Sequence, residues 1–237
     1  MSPDILLRVV GLHAGYGSTP ILQGVDLQVE RGEIVSLIGR NGVGKTTILR
    51  CLMGQLRVTA GQVDCLEQNI TNLSPDARAR LGMGYIPQGK EIFPRLTVKE
   101  NLQIGEHIGG PKGRKLNDMV FSYFPILHER RHQTAGTMSG GEQQQLAIGR
   151  ALIGNPSVLL LDEPSEGVQP SIVQMICEVL KSIRDDLGCT ILFVEQNLDT
   201  IINLSERCYV VEKGRIKSHI GAEQLTDRET VRQSLLI

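Results

Sequence analysis

The chain has 237 residues, 41% of them hydrophobic, and a formal charge of -1 from 25 Lys and Arg against 26 Asp and Glu. That is enough apolar material for a substantial core, and so even a charge balance gives no basic field that would mark nucleic acid as the main partner. The five cysteines, Cys51, Cys65, Cys177, Cys189 and Cys208, are odd in number and never spaced C-x-x-C, which excludes a disulfide framework and fits reduced core thiols of a cytosolic protein.

From the amino terminus, Met1-Ser2-Pro3-Asp4 has no basic patch leading into an apolar stretch, and no run in the chain is long enough to span a bilayer. A short β-rich run at residues 6–10 and the alternating run at 25–29 suggest half-buried antiparallel strands, with the turn-rich Gly15-Tyr16-Gly17-Ser18 between them. Residues 33–38 then lead into Gly39-Arg40-Asn41-Gly42-Val43-Gly44-Lys45-Thr46, and residues 46–53 read as the following helix, ended by Gly54. A short β run at Tyr85-Ile86 leaves through the turn Pro87-Gln88-Gly89. Residues 94–153 turn helical, with expected helices at 98–104, 116–124 and 143–153. The continuous apolar runs at 158–161 and 190–194 predict strands covered on both faces, hence a parallel sheet. Residues 207–212 and 215–220 flank Lys213-Gly214 as a hairpin, and a polar tail follows Gly221.

The pattern predicts an α/β P-loop NTPase fold. It has a mainly parallel core sheet, an antiparallel β subdomain and an inserted α-helical subdomain. We read a single domain over residues 1–237, in which 1–93 and 154–237 form the β-rich nucleotide-binding core and about 94–153 the helical part.

The glycine loop carries the first chemistry. Backbone N–H groups of residues 42–46 converge on phosphate oxygens only where bulky side chains are absent, hence Gly39, Gly42 and Gly44. The helix beginning at Lys45 adds its positive end, Lys45 a mobile cation for the β- and γ-phosphates, and Thr46 a hydroxyl for Mg²⁺. Asn41 and Thr47 belong to the same nucleotide-binding run. Asp162 and Glu163 end a strand of aliphatic residues and are stopped by Pro164, so both carboxylates stand at the carboxyl edge of the sheet. Asp162 is expected to hold Mg²⁺ and Glu163 to polarise the attacking water. Gln88 can touch Mg²⁺ or water and report it, and Tyr16 offers a π-face to adenine.

Ser139-Gly140-Gly141-Glu142 fits a capping box, with Ser139 as N-cap and Glu142 at the third helical position. The two glycines also leave N–H groups and a positive helix end open to an anion. One chain already has its own phosphate loop, so this second anion site is best used on the ATP of another subunit.

In this order, loop, Gln88, Ser139 to Glu142 and Asp162-Glu163, the chain resembles the ATP-binding-cassette ATPases over nearly its whole length. The resemblance implies two such domains head to tail, each ATP lying between one phosphate loop and the other subunit's signature run, with Tyr16 stacking adenine. It implies a second ATPase subunit, identical or related, two integral membrane permease subunits and a periplasmic or extracellular solute-binding protein. The chain would then work peripherally, on the cytoplasmic face of the membrane, with residues 90–96 beside Gln88 passing closure to a permease. Residues 39–45, 87–97 and 166–171 look most like the urea-uptake ATPases of the branch that also serves branched-chain amino acids and amides. An importer of those solutes is the alternative. A soluble mechanochemical ATPase of the same fold is the rival, but it usually adds a coiled coil or a second ATPase domain.

Three departures from the family pattern stand out. Glu142 replaces the usual Gln and adds negative charge near a partner's phosphate, so Glu142→Gln is expected to tighten ATP-driven pairing. Gln169 stands where Asp is common. Gln196 occupies the switch-histidine position in a catalytic role, where its amide can donate to phosphate but cannot become cationic. His128-Glu129-Arg130-Arg131-His132 matches H-E-x-x-H formally, yet no third ligand stands out and a charged helix surface explains the spacing.

Overall fold

Alternating burial carries β1 (Ile5–Tyr16) and β2 (Thr19–Glu30), which pair antiparallel from Ile5↔Glu30 to Tyr16↔Thr19. This computed structural model describes residues 4–236; residues 1–3, part of the amino-terminal segment considered above, and residue 237 lie outside them. The ladder runs further than alternation alone suggests, leaving only Gly17 and Ser18 as the turn, so Tyr16 ends a strand instead of sitting in a loop. β3 (Ile34–Ile38) enters the glycine loop and α1 (Lys45–Met53) leaves it. β4 (Ala60–Cys65) and β5 (Gln68–Asn69), too polar to read as strands, complete an antiparallel sheet ordered β2-β1-β4-β5.

After α2 (Pro75–Arg80) and β6 (Met83–Ile86) the chain becomes helical: α3 (Val98–Lys115), α4 (Asn117–Tyr123), α5 (Pro125–Glu129) and α6 (Gly140–Ile153). α3 extends well past the expected end at residue 104. The chain kinks at Gly110, whose φ is 56°, and Pro111 restarts the helix at a position where its missing N–H costs little. A Cβ on Gly109 would lie 2.0 Å from the Ile153 carbonyl oxygen, so glycine is what lets α3 press against the end of α6. α5 ends at Glu129, so His128 and His132 do not share one helix face.

The chain closes with β7 (Val158–Asp162), α7 (Pro170–Leu187), β8 (Thr190–Glu195), α8 (Leu198–Leu204), β9 (Arg207–Glu212), β10 (Arg215–Ile220), α9 (Ala222–Leu225) and α10 (Arg228–Leu236). The second sheet runs β10-β9-β3-β8-β7-β6, parallel except for the antiparallel hairpin strand β10.

Strand alternation divides most of the central sheet between two cores, while Ile38, Cys208, Val210 and Ile220 pack in a third cluster with Ile201, Leu225 and Val231. Val35, Leu37, Leu160, Leu192 and Val194 face α1 and the antiparallel sheet. Ile34, Leu159, Leu161, Ile191 and Phe193 face the helical side with α6 and α7. Each such side chain contributes about 1.5–3 kcal/mol on burial, which explains why these runs are apolar on both faces apart from the buried Ser36 and Thr190. All five cysteines are free and buried. Burial pushes the thiols of Cys51, Cys65 and Cys189 up to about 12 and Cys177 to about 11, so they behave as small core residues. Among the described residues no helix is long and apolar enough to cross a membrane.

The carboxyl end of α1 is held by a buried cation. Arg78 is 1% exposed and donates through Nη1 to the carbonyls of Cys51 and Leu52, both at 2.7 Å. Its Nε reaches Leu73 at 3.0 Å and its Nη2 reaches Thr71 at 2.9 Å. Four carbonyls take the place of a counter-ion, and burial lowers the guanidinium pKa from its ordinary value. Arg78→Met takes the guanidinium donor from the Leu52, Leu73 and Thr71 carbonyls and leaves Cys51 with Gly54 N–H alone, and is expected to lower the unfolding free energy by about 3 kcal/mol in urea titrations. A loss below about 1 kcal/mol would show that the carbonyls find other donors.

Candidate active site

The loop between β3 and α1 is shaped by glycine. Gly39 has φ 145°, and a Cβ there would lie 2.4 Å from the Val211 carbonyl oxygen, so β9 admits no larger residue. Lys45, 4% exposed, folds over the loop, its Nζ donating to Gly39 at 2.8 Å and Arg40 at 2.9 Å. Burial lowers its pKa, while Glu163, Asp162 and Glu195 act to raise it. A cavity of about 480 Å³ is lined by Tyr16, Asn41, Gly42, Gly44, Lys45, Thr46, Thr47, Gln88 and Glu163, with Ile21 and Glu166 added. It brings together residues that the sequence scatters over most of its length. Tyr16 is 45% exposed at one end, and its hydroxyl accepts from Arg50 Nη1 at 3.3 Å.

Below Lys45 the Thr46 hydroxyl donates to Asp162 Oδ1 at 3.0 Å. Asp162 is 3% exposed and, among the described residues, has no salt-bridge partner; burial raises its pKa, and the Thr46 hydrogen bond partly offsets this. A buried, uncompensated carboxylate beside a hydroxyl is the hard oxygen set that suits Mg²⁺, and the N–H-rich loop suits the phosphates that would share it.

Glu163 stands just beyond β7 at φ 49°, an unusual conformation for a non-glycine residue, with its N–H held by the Val194 carbonyl at 3.0 Å. Both of its carboxylate oxygens meet amides. Gln196 Nε2 donates to Oε1, and Gln88 Nε2 lies 3.5 Å from Oε2 and 3.0 Å from Glu166 Oε2. Gln88 therefore contacts carboxylates directly, and Gln196 orients Glu163 in the arrangement seen here.

The signature run lies elsewhere. Ser139, Gly140, Gly141 and Glu142 do not line the cavity around Lys45. They open α6 with a complete capping box: Ser139 N–H donates to Glu142 Oε2 at 2.8 Å, and Glu142 N–H to Ser139 Oγ at 3.4 Å. Arg130 Nη1 lies 3.2 Å from Glu142 Oε1. The extra negative charge noted in the sequence thus has a partner inside its own chain, which tempers its expected effect on an approaching phosphate.

Glu166, Glu195 and Arg130 were not read from the sequence. Glu195 had the clearest available signal, a charged residue closing an aliphatic strand, which is the signal that marked Asp162 and Glu163. Arg130 had none, because its pairing to Glu142 spans two helices and the turn between them.

The model of the ABC transporter family matches residues 22–166. The chain is 42% identical over 222 residues to the high-affinity branched-chain amino acid transport ATP-binding protein BraG of Pseudomonas aeruginosa, covering 93% of this chain and 95% of that protein. It is 37% identical over 225 residues to the probable branched-chain amino acid transport ATP-binding protein LivF of Archaeoglobus fulgidus, covering 94% and 95%. A nucleotide-free ATP-binding cassette from an ABC transporter superposes with a TM-score of 0.82 at 29% identity, over 96% of this chain and 97% of that one. Phosphate loop, buried acidic strand end and cassette fold therefore have one reading: the chain belongs to the ABC transporter family, as an ATP-hydrolysing subunit that uses ATP and Mg²⁺.

Proposed function

We propose that the chain energises uptake of branched-chain amino acids, as one of two ATPase subunits bound peripherally to the cytoplasmic side of two permease subunits and served by an external solute-binding protein. The observation that carries the two-subunit reading is the distance between like chemistries. One chain holds two anion-binding helix ends, at Lys45 and at Gly140, and only the first lines its own nucleotide cavity. The second is then free for the nucleotide of an opposing subunit. The names of the relatives reported above support branched-chain amino acids as the solute. The urea reading rests on the likeness of residues 39–45, 87–97 and 166–171 alone.

In this reading Lys45 and the loop N–H groups would hold the phosphates, Tyr16 would stack adenine, and Thr46, Asp162 and Gln88 would hold Mg²⁺, which would neutralise phosphate charge. Glu163 orients water, with Gln196 holding its carboxylate.

A groove of about 180 Å³ between β6, α3 and α6, lined by Tyr85, Ile104, Ile108, Ala147, Arg150 and Ala151, supports contact with a permease. Ile108 and Phe93, 44% and 45% exposed, stand beside it, and the Arg150 guanidinium lies 5.2 Å from the Phe93 ring centre. Arg150 Nη2 donates to the Glu91 carbonyl at 2.8 Å, whereas Nη1 is buried without a hydrogen-bond partner among the described residues. A permease segment with a carboxylate set among apolar residues would complete that donor. Purification with the permease subunits, followed by ATPase assay with leucine or urea and the solute-binding protein, tests the whole reading. Stimulation by leucine is expected; stimulation by urea alone would restore the urea reading, and recovery with ribosomes or DNA but no membrane protein would overturn transport.

Asp162 offers a sharper check. Its pKa is raised by burial, so its ionised form disfavours folding at neutral pH, a penalty that shrinks as pH falls through the folded-state pKa. Asp162→Asn is expected to raise the metal-free unfolding temperature, by about 2–4 °C per kcal/mol recovered, while lowering Mg²⁺-dependent hydrolysis by about 100-fold. Scanning fluorimetry with and without Mg²⁺, beside a turnover assay, reads both.

Glu142→Gln removes a carboxylate that Arg130 already pairs. ATP-driven self-association in a Glu163→Gln background should tighten by no more than about fivefold, the scale of one exposed pair. Sedimentation showing weaker association would refute the charge argument.

A further inference from the structure

Glu195 is the last residue of β8, is 2% exposed, and is absent from the nucleotide cavity lining. Among the described residues its carboxylate forms no salt bridge and hydrogen-bonds to backbone: Oε1 accepts from Ser165 N–H at 2.9 Å, and Oε2 accepts from Gln196 N–H at 2.8 Å and Asn197 N–H at 2.9 Å. A charge with so little access to water is retained only where fixed donors surround it. These donors belong to two separate turns. Ser165 sits two residues after Glu163, and Gln196 is the residue whose side-chain amide reaches Glu163 Oε1.

The contacts form a closed circuit. Glu163 meets the Gln196 side chain, the Gln196 backbone meets Glu195, Glu195 meets Ser165, and the chain returns to Glu163 through Pro164. Gln88 meets the circuit at Glu163, 3.5 Å from Oε2, and is held beside it by Glu166. Backbone N–H groups have no rotamers, so a carboxylate that spans them sets the separation of the two turns more tightly than a side-chain pair could.

We propose that Glu195 is a positioning residue for ATP hydrolysis, its carboxylate clamping the turn after β7 to the turn after β8 so that the Gln196 amide holds Glu163 in line. The proposal rests on the assignment of Glu163 as the residue that orients water. A neutral amide cannot replace the carboxylate, because its NH₂ end would face one of the backbone N–H groups.

The test uses the full chain with Mg²⁺ and ATP, comparing Glu195→Gln, Gln196→Ala, the double variant and Glu163→Gln. Glu195→Gln is expected to lower kcat on the order of 10- to 100-fold while KM for ATP stays within about twofold, since geometry at the reacting centre is lost while the phosphate-loop backbone keeps its own contacts and Lys45 keeps the larger influence of Glu163 and Asp162. The double variant should be no slower than Gln196→Ala alone within about twofold, because both changes release the same amide. A merely structural role would make the two losses multiply, and that result overturns the proposal, as does parent-like kcat in Glu195→Gln. Retained hydrolysis in Glu163→Gln would overturn the assignment of Glu163 itself; lost hydrolysis there with parent-like Glu195→Gln would overturn only the role given to Glu195. Should Glu195→Gln fail to fold, Glu195→Asp keeps the charge but shortens its reach to one turn. A drop in kcat of about tenfold at unchanged KM is then expected, and parent-like kcat counts against the clamp.

Discussion

The parallel register of β3, β8 and β7 is the constraint on which the site depends. It sets Ile38 level with Glu195 and Asp162 level with Val194, so the chain leaves all three strands at one edge of the sheet. Glycine loop, acidic turn and Gln196 turn then meet because their strands end together. A slip of one residue in any strand would turn the alternating side chains of the two cores to the wrong face, and burial on both sides makes such a slip expensive. Packing that looks purely structural is therefore what aligns the candidate catalytic groups.

Charge inside this protein is managed mostly by the backbone. Arg78 is surrounded by carbonyls, Glu195 by N–H groups, and Lys45 by the carbonyls of its own loop. Asp162 differs, with two neutral hydroxyl donors, Thr46 at 3.0 Å and Tyr85 at 3.5 Å, and a raised pKa, and it is the carboxylate that a divalent cation would complete. The fold leaves Asp162 under-compensated where the chemistry needs a metal and satisfies Arg78, Glu195 and Lys45 through backbone groups that hold turns and loops in place.

Two helix amino termini of the same kind have separate tasks. α1 opens at the phosphate loop, and α6 opens with a capping box beside the turn that carries Gly167. Glu142 illustrates how a residue that departs from the family pattern can be absorbed locally, since it caps its own helix and pairs with Arg130. Its charge reaches a neighbouring subunit only after that pairing is counted.

Local patterns were legible from the sequence by itself. The glycine loop, the Ser139 to Glu142 capping box, the apolar strands ending at Asp162 and Glu195, and the hairpin around Lys213-Gly214 all arise from interactions within a few residues, where spacing carries the information. Tertiary structure alone decided the rest. Only it could show that Tyr16 ends a strand, that α3 continues through Gly110 and Pro111, that Arg78 closes α1, and that Gln196 and Gln88 both lean on Glu163. Each of these depends on partners brought close by the sheet, and their separation along the chain leaves no periodic trace that a sequence could display.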